Sequence, residues 1–175
     1  MKDQKRPTLK NLEVIYLSYG GLGFFPFAPG TVGTLGAIPF LYLFGLFQIS
    51  VYYVLPILII NIVLSSFLAN LSQNKFGVKD PSWIVIDEVL GMATAWLFWP
   101  TAALLDLFFL FLFFRLFDII KIWPATYFDK RMKHGAGVIL DDIVSGIFAG
   151  LIFFIVKYFL LGAQLPPLYK SLDLF

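Results

Sequence analysis

The sequence predicts an all-α integral membrane protein, a bundle of about five transmembrane helices, and three observations carry that expectation. Hydrophobic residues make up 59% of the 175 positions and charged residues only 14%, against about 25% charged in an average soluble domain. Several apolar runs approach the ~20 residues that a helical span needs. The charged residues gather at the ends of those runs instead of being spread along the chain. We read one membrane-embedded domain over residues 1–175: a basic N-terminus with an interfacial segment (1–33), a helical bundle (34–161) and an irregular tail (162–175).

Residues 1–11 are polar and basic, and no short apolar core with a small-residue cleavage site follows, so no removable signal peptide is expected. Residues 12–32 are apolar and aromatic but interrupted by Gly20, Gly21, Gly23, Pro26, Pro29 and Gly30. Glycine and proline at that density disfavour a regular helix, so this stretch is expected to lie at the interface or to re-enter the membrane. The first span is expected at 34–49, with Thr34 as N-cap and Pro39 inside. The second is 51–71, extending toward Lys75, with Gly77 as its stop. Asp80-Pro81 reads as N-cap and first helical residue of a third span, 81–99, which carries Asp87 and Glu88 near its start. The fourth, 102–122, carries Arg115, Asp118 and Lys121 near its end, and Pro124 closes it. A polar connection over 123–136 leads to the fifth, 138–161, with Asp141 and Asp142 near its start. Trp83, Trp99 and Trp123 are expected at the membrane interfaces.

Alternating spans place Lys2, Lys5, Arg6, Lys10, Lys75, Lys79, Lys121, Lys130, Arg131 and Lys133 on one side, and Lys157 and Lys170 on the other. The positive-inside rule puts the richer side, with the N-terminus, in the cytosol. The same alternation brings the acidic start of span three, the end of span four and the acidic start of span five to that face. Asp87, Glu88, Asp118, Asp141 and Asp142 would then share one pocket with Arg115 and Lys121, leaving about three negative charges in excess, which protonation or bound cations must relieve.

The chain has no cysteine, which excludes disulfides, thiolate metal sites and a cysteine nucleophile. His134 is the single histidine, so a histidine-built zinc site and a two-histidine phosphatase mechanism are excluded as well. Carboxylates alone favour a hard cation, Mg²⁺ first. Arg115, Asp118 and Lys121 repeat an i,i+3 spacing. They form either a surface ion-pair ladder or a cationic clamp for a phosphate beside a metal-binding Asp118. The segment from Pro29 to Thr34 precedes a helix, whose free amides can hold an anion. Asp106, in the outer part of span four, reads as structural or pore-facing, and His134 as solvated. A net charge of +2 gives no reason to expect a nucleic-acid partner. A solvated, salt-bridged rim is the plain alternative for the acids. A cation or proton transporter, with charges through the membrane depth, is the alternative from another functional class. A phospholipid headgroup transferase is a third, but its acidic motif on consecutive helical turns is not visible.

Four stretches, PGTVGTLGAIPF (29–40), WIVIDEVLGM (83–92), FRLFDIIKIWP (114–124) and FDKRMKHGAGVILDDIVSG (128–146), together resemble the phosphatidylglycerophosphatase A family of bacterial lipid phosphatases. The resemblance covers most of the chain in the right order. It implies Mg²⁺-dependent removal of the terminal phosphate of phosphatidylglycerophosphate to give phosphatidylglycerol, at a site on the cytosolic face of the bacterial inner membrane. Taken with the residues, it points to Glu88, Asp118, Asp141 and Asp142 as metal ligands and to Asp87 or Asp129 as base or nucleophile. Arg115, Lys121 and the amides around Gly30, Thr31 and Thr34 would hold the phosphate. An attacking carboxylate and an activated water both fit these residues. The chain departs from the family pattern at Lys121-Ile122, where Lys-Pro is usual, and at His134-Gly135, where Gly-Gly is usual. Both departures touch the loop that carries Asp129.

Overall fold

The computed structural model of the protein describes residues 7–77, 81–132 and 134–166, without the side chains of 129–131. Among these every regular element is helical. The helices are α1 (Leu12–Leu17), a 3₁₀ turn (Leu22–Phe24), α2 (Pro29–Leu46), α3 (Val51–Phe76), α4 (Ile86–Leu97), α5 (Leu104–Ile120), α6 (Ala125–Arg131) and α7 (Gly135–Ile155). A π-helical turn at Val156–Leu160 continues α7. Three segments, Pro29–Leu46, Val51–Phe76 and Gly135–Leu160, are long and apolar enough to cross a membrane. α5, at 17 residues, is slightly shorter.

Local chemistry explains where the helices begin and end. The Ser50 hydroxyl accepts the Tyr52 amide at the head of α3. At its end Gly77 turns left-handed (φ 71°) and donates to the Gln73 carbonyl, the stop that glycine supplies at least steric cost. α2 begins five residues earlier than the expected Thr34 cap. Pro29 occupies its first turn, where the missing N–H costs nothing. Ala28 is the residue before the helix, and the fully buried Thr34 hydroxyl donates back to the Gly30 carbonyl at 2.9 Å. The expected interruption in 12–32 is real between Ser18 and Ala28, but the single turn and a half of α1 precedes it.

The third span is the largest departure. Asp80 lies outside the described residues, and Pro81 precedes the helix rather than opening it. Residues 81–85 form a turn because their groups are engaged elsewhere. Trp83 stacks on Phe24 and meets Phe76 edge-on, and the Val85 amide donates to the Leu17 carbonyl at 3.0 Å. α4 is therefore only 12 residues, about 18 Å at 1.5 Å per residue, against a hydrocarbon core of ~30 Å. It is the axis of the bundle, packed by α2, α3, α5 and α7 and buried on nearly every side. Trp83 and Trp99 are buried as well, Trp99 against Phe154; of the three expected interface tryptophans only Trp123 is exposed. The polar connection 123–136 contains α6, and 162–166 has no regular structure.

Close contacts fix the helix directions. Gly30 of α2 meets Glu88 of α4, and Gly45 meets Thr101 beyond its end, so these two helices run the same way. Gly91 meets the Asp142 carbonyl and Gly150 the Ala95 carbonyl, so α4 and α7 also run parallel. Lys121 pairs with Asp141 at one end of α5 and Asp106 with Lys157 at the other, so α5 opposes α7. The starts of α2, α4 and α7 and the end of α5 therefore share one end of the bundle.

The α4–α7 contact is built on missing side chains. A Cβ on Gly146 would stand 2.2 Å from the Gly91 carbonyl oxygen, and one on Gly150 2.7 Å from that of Ala95. Gly146 and Gly150 form a G-x-x-x-G pair, the spacing that lets membrane helices approach backbone to backbone. Replacing Gly146 by Ala must push the helices apart, an overpacking that costs about 1–3 kcal/mol. The expected outcome is a lower thermal midpoint in detergent. An unchanged midpoint would show that the contact tolerates a methyl group.

Candidate active site

Four helix ends meet at the common end of the bundle. α4 contributes Asp87 and Glu88 from its first turn, where carboxylates are favoured by the positive end of the helix dipole. Asp87 Oδ1 accepts the Glu88 amide at 3.1 Å. α7 contributes Asp141 and Asp142, two turns in, both 4% exposed. α5 contributes Arg115 and Asp118 from its last turns, and Lys121 follows as its C-terminal cap. α2 contributes its N-terminus: a Cβ on Gly30 would lie 2.0 Å from Glu88 Oε1 and 3.5 Å from Arg115 Nη1. Glycine at 30 is what lets the helix start approach the acid and the guanidinium this closely.

The charges fall into two groups that meet at Asp118, whose carboxyl also lies within hydrogen-bond reach of Asp142. Asp118 Oδ2 lies 2.7 Å from Arg115 Nη1, and Asp141 Oδ2 accepts from Lys121 Nζ at 2.5 Å. Asp87, Glu88 and Asp142 form the second group, with one oxygen from each within 4.8 Å of the others. Glu88 Oε2 is buried and has no hydrogen-bond partner. An oxygen in that state asks for a proton or a cation. Three carboxylates converging without histidine or cysteine suit a hard, oxygen-preferring ion such as Mg²⁺, so the residues fit the expected group.

The sequence reading and the geometry differ in how the acids are shared out. Asp87, taken as base or nucleophile, stands in the convergent trio, while Asp118 and Asp141, taken as ligands, are each paired with a cation. The expected i,i+3 ladder forms only between Arg115 and Asp118. Lys121 adopts a left-handed backbone (φ 47°) that takes it off the helix line and over to α7. The Ser145 hydroxyl, which sequence reasoning passed over, donates to the Asp141 carbonyl at 2.9 Å and reaches the Phe117 carbonyl at 3.5 Å, tying α7 to the end of α5. Thr31 lies half-buried in the first turn of α2, whereas the Thr34 hydroxyl is committed to its own helix. Asp129 is on α6 and its side chain lies outside the described residues. His134 is exposed, as expected, and precedes α7.

Asp106 takes no part in this site. It lies at the opposite end of α5, 3.0 Å from Lys157 Nζ, with Trp99 beneath the ammonium at 5.7 Å.

Comparison with known proteins bears on the same residues. The family model described as phosphatidylglycerophosphatase A matches residues 15–157, an interval that takes in all four helix ends. The phosphatidylglycerophosphatase A of Escherichia coli is 35% identical over 143 residues, covering 81% of this chain and 82% of its own. That of Haemophilus influenzae is 31% identical over 99 residues, covering 57% of this chain and 61% of its own. No solved structure matches. With the family model spanning most of the chain and the Escherichia coli relative aligned across four-fifths of it, the chain belongs to the phosphatidylglycerophosphatase A family.

Proposed function

We propose that this protein is a cation-dependent lipid phosphatase that removes the terminal phosphate of phosphatidylglycerophosphate, leaving phosphatidylglycerol, at a site on the cytosolic side of the bacterial inner membrane. The observation that carries the reading is the convergence of Asp87, Glu88 and Asp142 beside Arg115 and the start of α2. A terminal phosphate on a lipid is a dianionic group at the edge of an apolar phase. Its recognition needs cationic donors and helix amides on one side and a carboxylate-held cation on the other. The four helix ends supply both kinds of group. The names of the relatives support the substrate, and the excess of Lys and Arg on the side of the site supports the orientation.

In this reading Asp87, Glu88 and Asp142 hold a divalent ion, Mg²⁺ by the chemistry of its donors. A bound Mg²⁺ supplies charge neutralisation of the phosphoryl oxygens. Arg115 presents its fork to the phosphate from the α5 side, and Asp118 keeps the guanidinium in place at 2.7 Å. Lys121 neutralises Asp141 and supplies a second cation. The amides at Gly30 and Thr31 face the phosphate from the first turn of α2, before its own hydrogen bonds begin. Hydrolysis breaks the bond between phosphorus and the glycerol oxygen. That oxygen leaves with the electron pair and takes up a proton, and water supplies the new oxygen of inorganic phosphate.

A cation or proton path is less well supported. It needs ionisable groups along the depth of the bundle, and among the described residues the acid at the far end of α5, Asp106, is already paired with Lys157.

Phosphate release from phosphatidylglycerophosphate should stop when the purified protein is stripped with chelator and return on adding Mg²⁺. Glu88→Gln and Asp142→Asn keep shape but remove a ligand charge, and each should lower kcat by roughly 10²–10³ while the protein stays folded. Turnover without metal, or near-normal rates in either variant, would remove the trio from the chemistry.

Arg115→Lys keeps the charge and loses the fork. A fall in kcat/KM at an unchanged thermal midpoint is expected. Near-normal kcat/KM would make Arg115 a scaffold partner of Asp118 alone.

The orientation is checked with single cysteines at the exposed positions Asn74 and Tyr127. An impermeant thiol reagent should reach them only after the cells are opened. Labelling of either in intact cells would place the site on the other face.

A further inference from the structure

At the end of the bundle away from the acids, the end of α2, the connection before α5 and the chain beyond α7 enclose a cavity of about 380 Å³, lined among others by Gln48, Trp99, Thr101, Asp106, Lys157 and Leu165. Small-ligand sites are of this size, about 300–1,000 Å³. We propose that the cavity binds the headgroup of a zwitterionic phospholipid, one that carries a phosphodiester and a primary ammonium, from the leaflet at that end. This lipid is a second one at a second site, whatever the acids act on.

Charge selects the ligand. Lys157 Nζ and Asp106 Oδ1 stand 3.0 Å apart, so the site is neutral as a whole but presents both signs. An ammonium has three N–H donors, and Lys157 gives one to Asp106. Asp106 Oδ2 has the Thr101 hydroxyl at 3.5 Å, a long contact that leaves the oxygen open to a better donor. A ligand phosphate can therefore take an N–H of Lys157 while the ligand ammonium donates to Asp106. A lone anion would meet the carboxylate, and a lone cation the ammonium. A quaternary ammonium has no N–H for Asp106. The Trp99 ring that could receive it lies 5.7 Å from Lys157 Nζ and is only 4% exposed. The site thus favours an ethanolamine-type head over a choline-type one.

Depth selects a lipid. Tyr52 and Tyr53, which follow Gln48 at the head of α3, and Tyr158, beside Lys157, are exposed at this end. Tyrosine gathers at the membrane–water boundary, the level of the headgroups. Pro100, Leu165 and Pro166 give the cavity an apolar side for the glycerol end of such a lipid. Asp106 stands twelve residues before Asp118 on α5, about 18 Å along the helix, so a phosphate held by Lys157 is out of reach of the acid site.

The backbone is shaped in advance. Lys157 lies in the π-helical turn Val156–Leu160, and such turns are rare and frequent at functional sites. Gln48 is left-handed (φ 51°), a conformation that persists only where the surroundings impose it. The Trp96 indole donates to the Thr101 carbonyl at 3.0 Å, and the Thr101 hydroxyl accepts the Ala103 amide at 3.0 Å. The connection between α4 and α5 is therefore fixed before a ligand arrives.

Retention of lipid by the delipidated full chain, read by native mass spectrometry, tests this. Dioleoyl phosphatidylethanolamine should be kept about tenfold better than dioleoyl phosphatidylcholine, the difference expected for one hydrogen bond to a charged group. Asp106→Asn and Lys157→Gln should each lower its retention by a similar factor, and excess soluble phosphoethanolamine should not displace it. Equal retention of the two lipids, or unchanged retention in both variants, overturns the proposal. Displacement by soluble phosphoethanolamine makes the occupant a free zwitterion and overturns it as well. Should the variants fail to fold, the wild-type protein decides alone. A phosphatidylethanolamine with a diazirine next to the glycerol should label it within 99–106 or 157–166, and labels confined to other segments overturn the assignment.

Discussion

The backbone contact between α4 and α7 is the constraint on which the other features depend. α4 is too short to cross a bilayer alone, and its Asp87 is buried with Glu88 half-buried beside it, so it holds its place only because its neighbours enclose it. Its tightest backbone-to-backbone approach runs through Gly91, Gly146 and Gly150, where carbonyl oxygens occupy the space that side chains would need. Membrane helices gain little from expelling water, so packing of this kind supplies much of the association energy. The register it imposes sets Asp142 opposite the first turn of α4. The acid trio is thus a by-product of glycine spacing as much as of the acids themselves.

Electrostatics then decides what the helix ends must carry. Several carboxylates in a poorly hydrated pocket repel one another, and each charge loses solvation. Arg115 and Lys121 offset two of them. The remaining three converge with one buried oxygen unpartnered, an arrangement that an ion or a proton completes. At the far end of α5 the opposite holds, since Asp106 and Lys157 neutralise each other and leave no net charge to offset. Among the described residues Arg115 and Lys121 stand at the acid end and Lys157 at the other, so the bundle is electrically asymmetric along its axis.

Much of this was legible from residue types and order. Long apolar runs announce helices, Gly77 announces the stop of α3, and charges placed at run ends announce a shared face. Each misreading has a specific cause. Thr34 looked like a cap because hydroxyls favour that role, but Pro29, five residues earlier, is the stronger start signal, and a threonine inside a helix can bond its own carbonyls. Asp80-Pro81 looked like a helix start because the pairing of Trp83 with Phe24 and Phe76, which holds 81–85 in a turn, joins residues far apart in sequence. The division of the acids into paired and convergent sets was beyond reach for a similar reason. It depends on whether Lys121 continues its helix or leaves it, and periodicity assumes that it continues.

The backbone at Lys121 says something about how this chain has been tuned. Four described non-glycine residues are left-handed, and two of them, Ala28 and Lys121, stand at the edges of the acid site. Such a conformation costs a side-chain-bearing residue of order 1–3 kcal/mol. Glycine or asparagine would relax the turn at 121 and remove the Lys121–Asp141 ion pair. A lysine there exchanges conformational ease for the placement of one charge. Stability screens that rank substitutions by folding alone would favour replacing it, and the gain in melting temperature would come at the expense of the Lys121–Asp141 pair that joins the end of α5 to α7. Positions where the thermodynamically better residue is absent mark this site as clearly as its acids do.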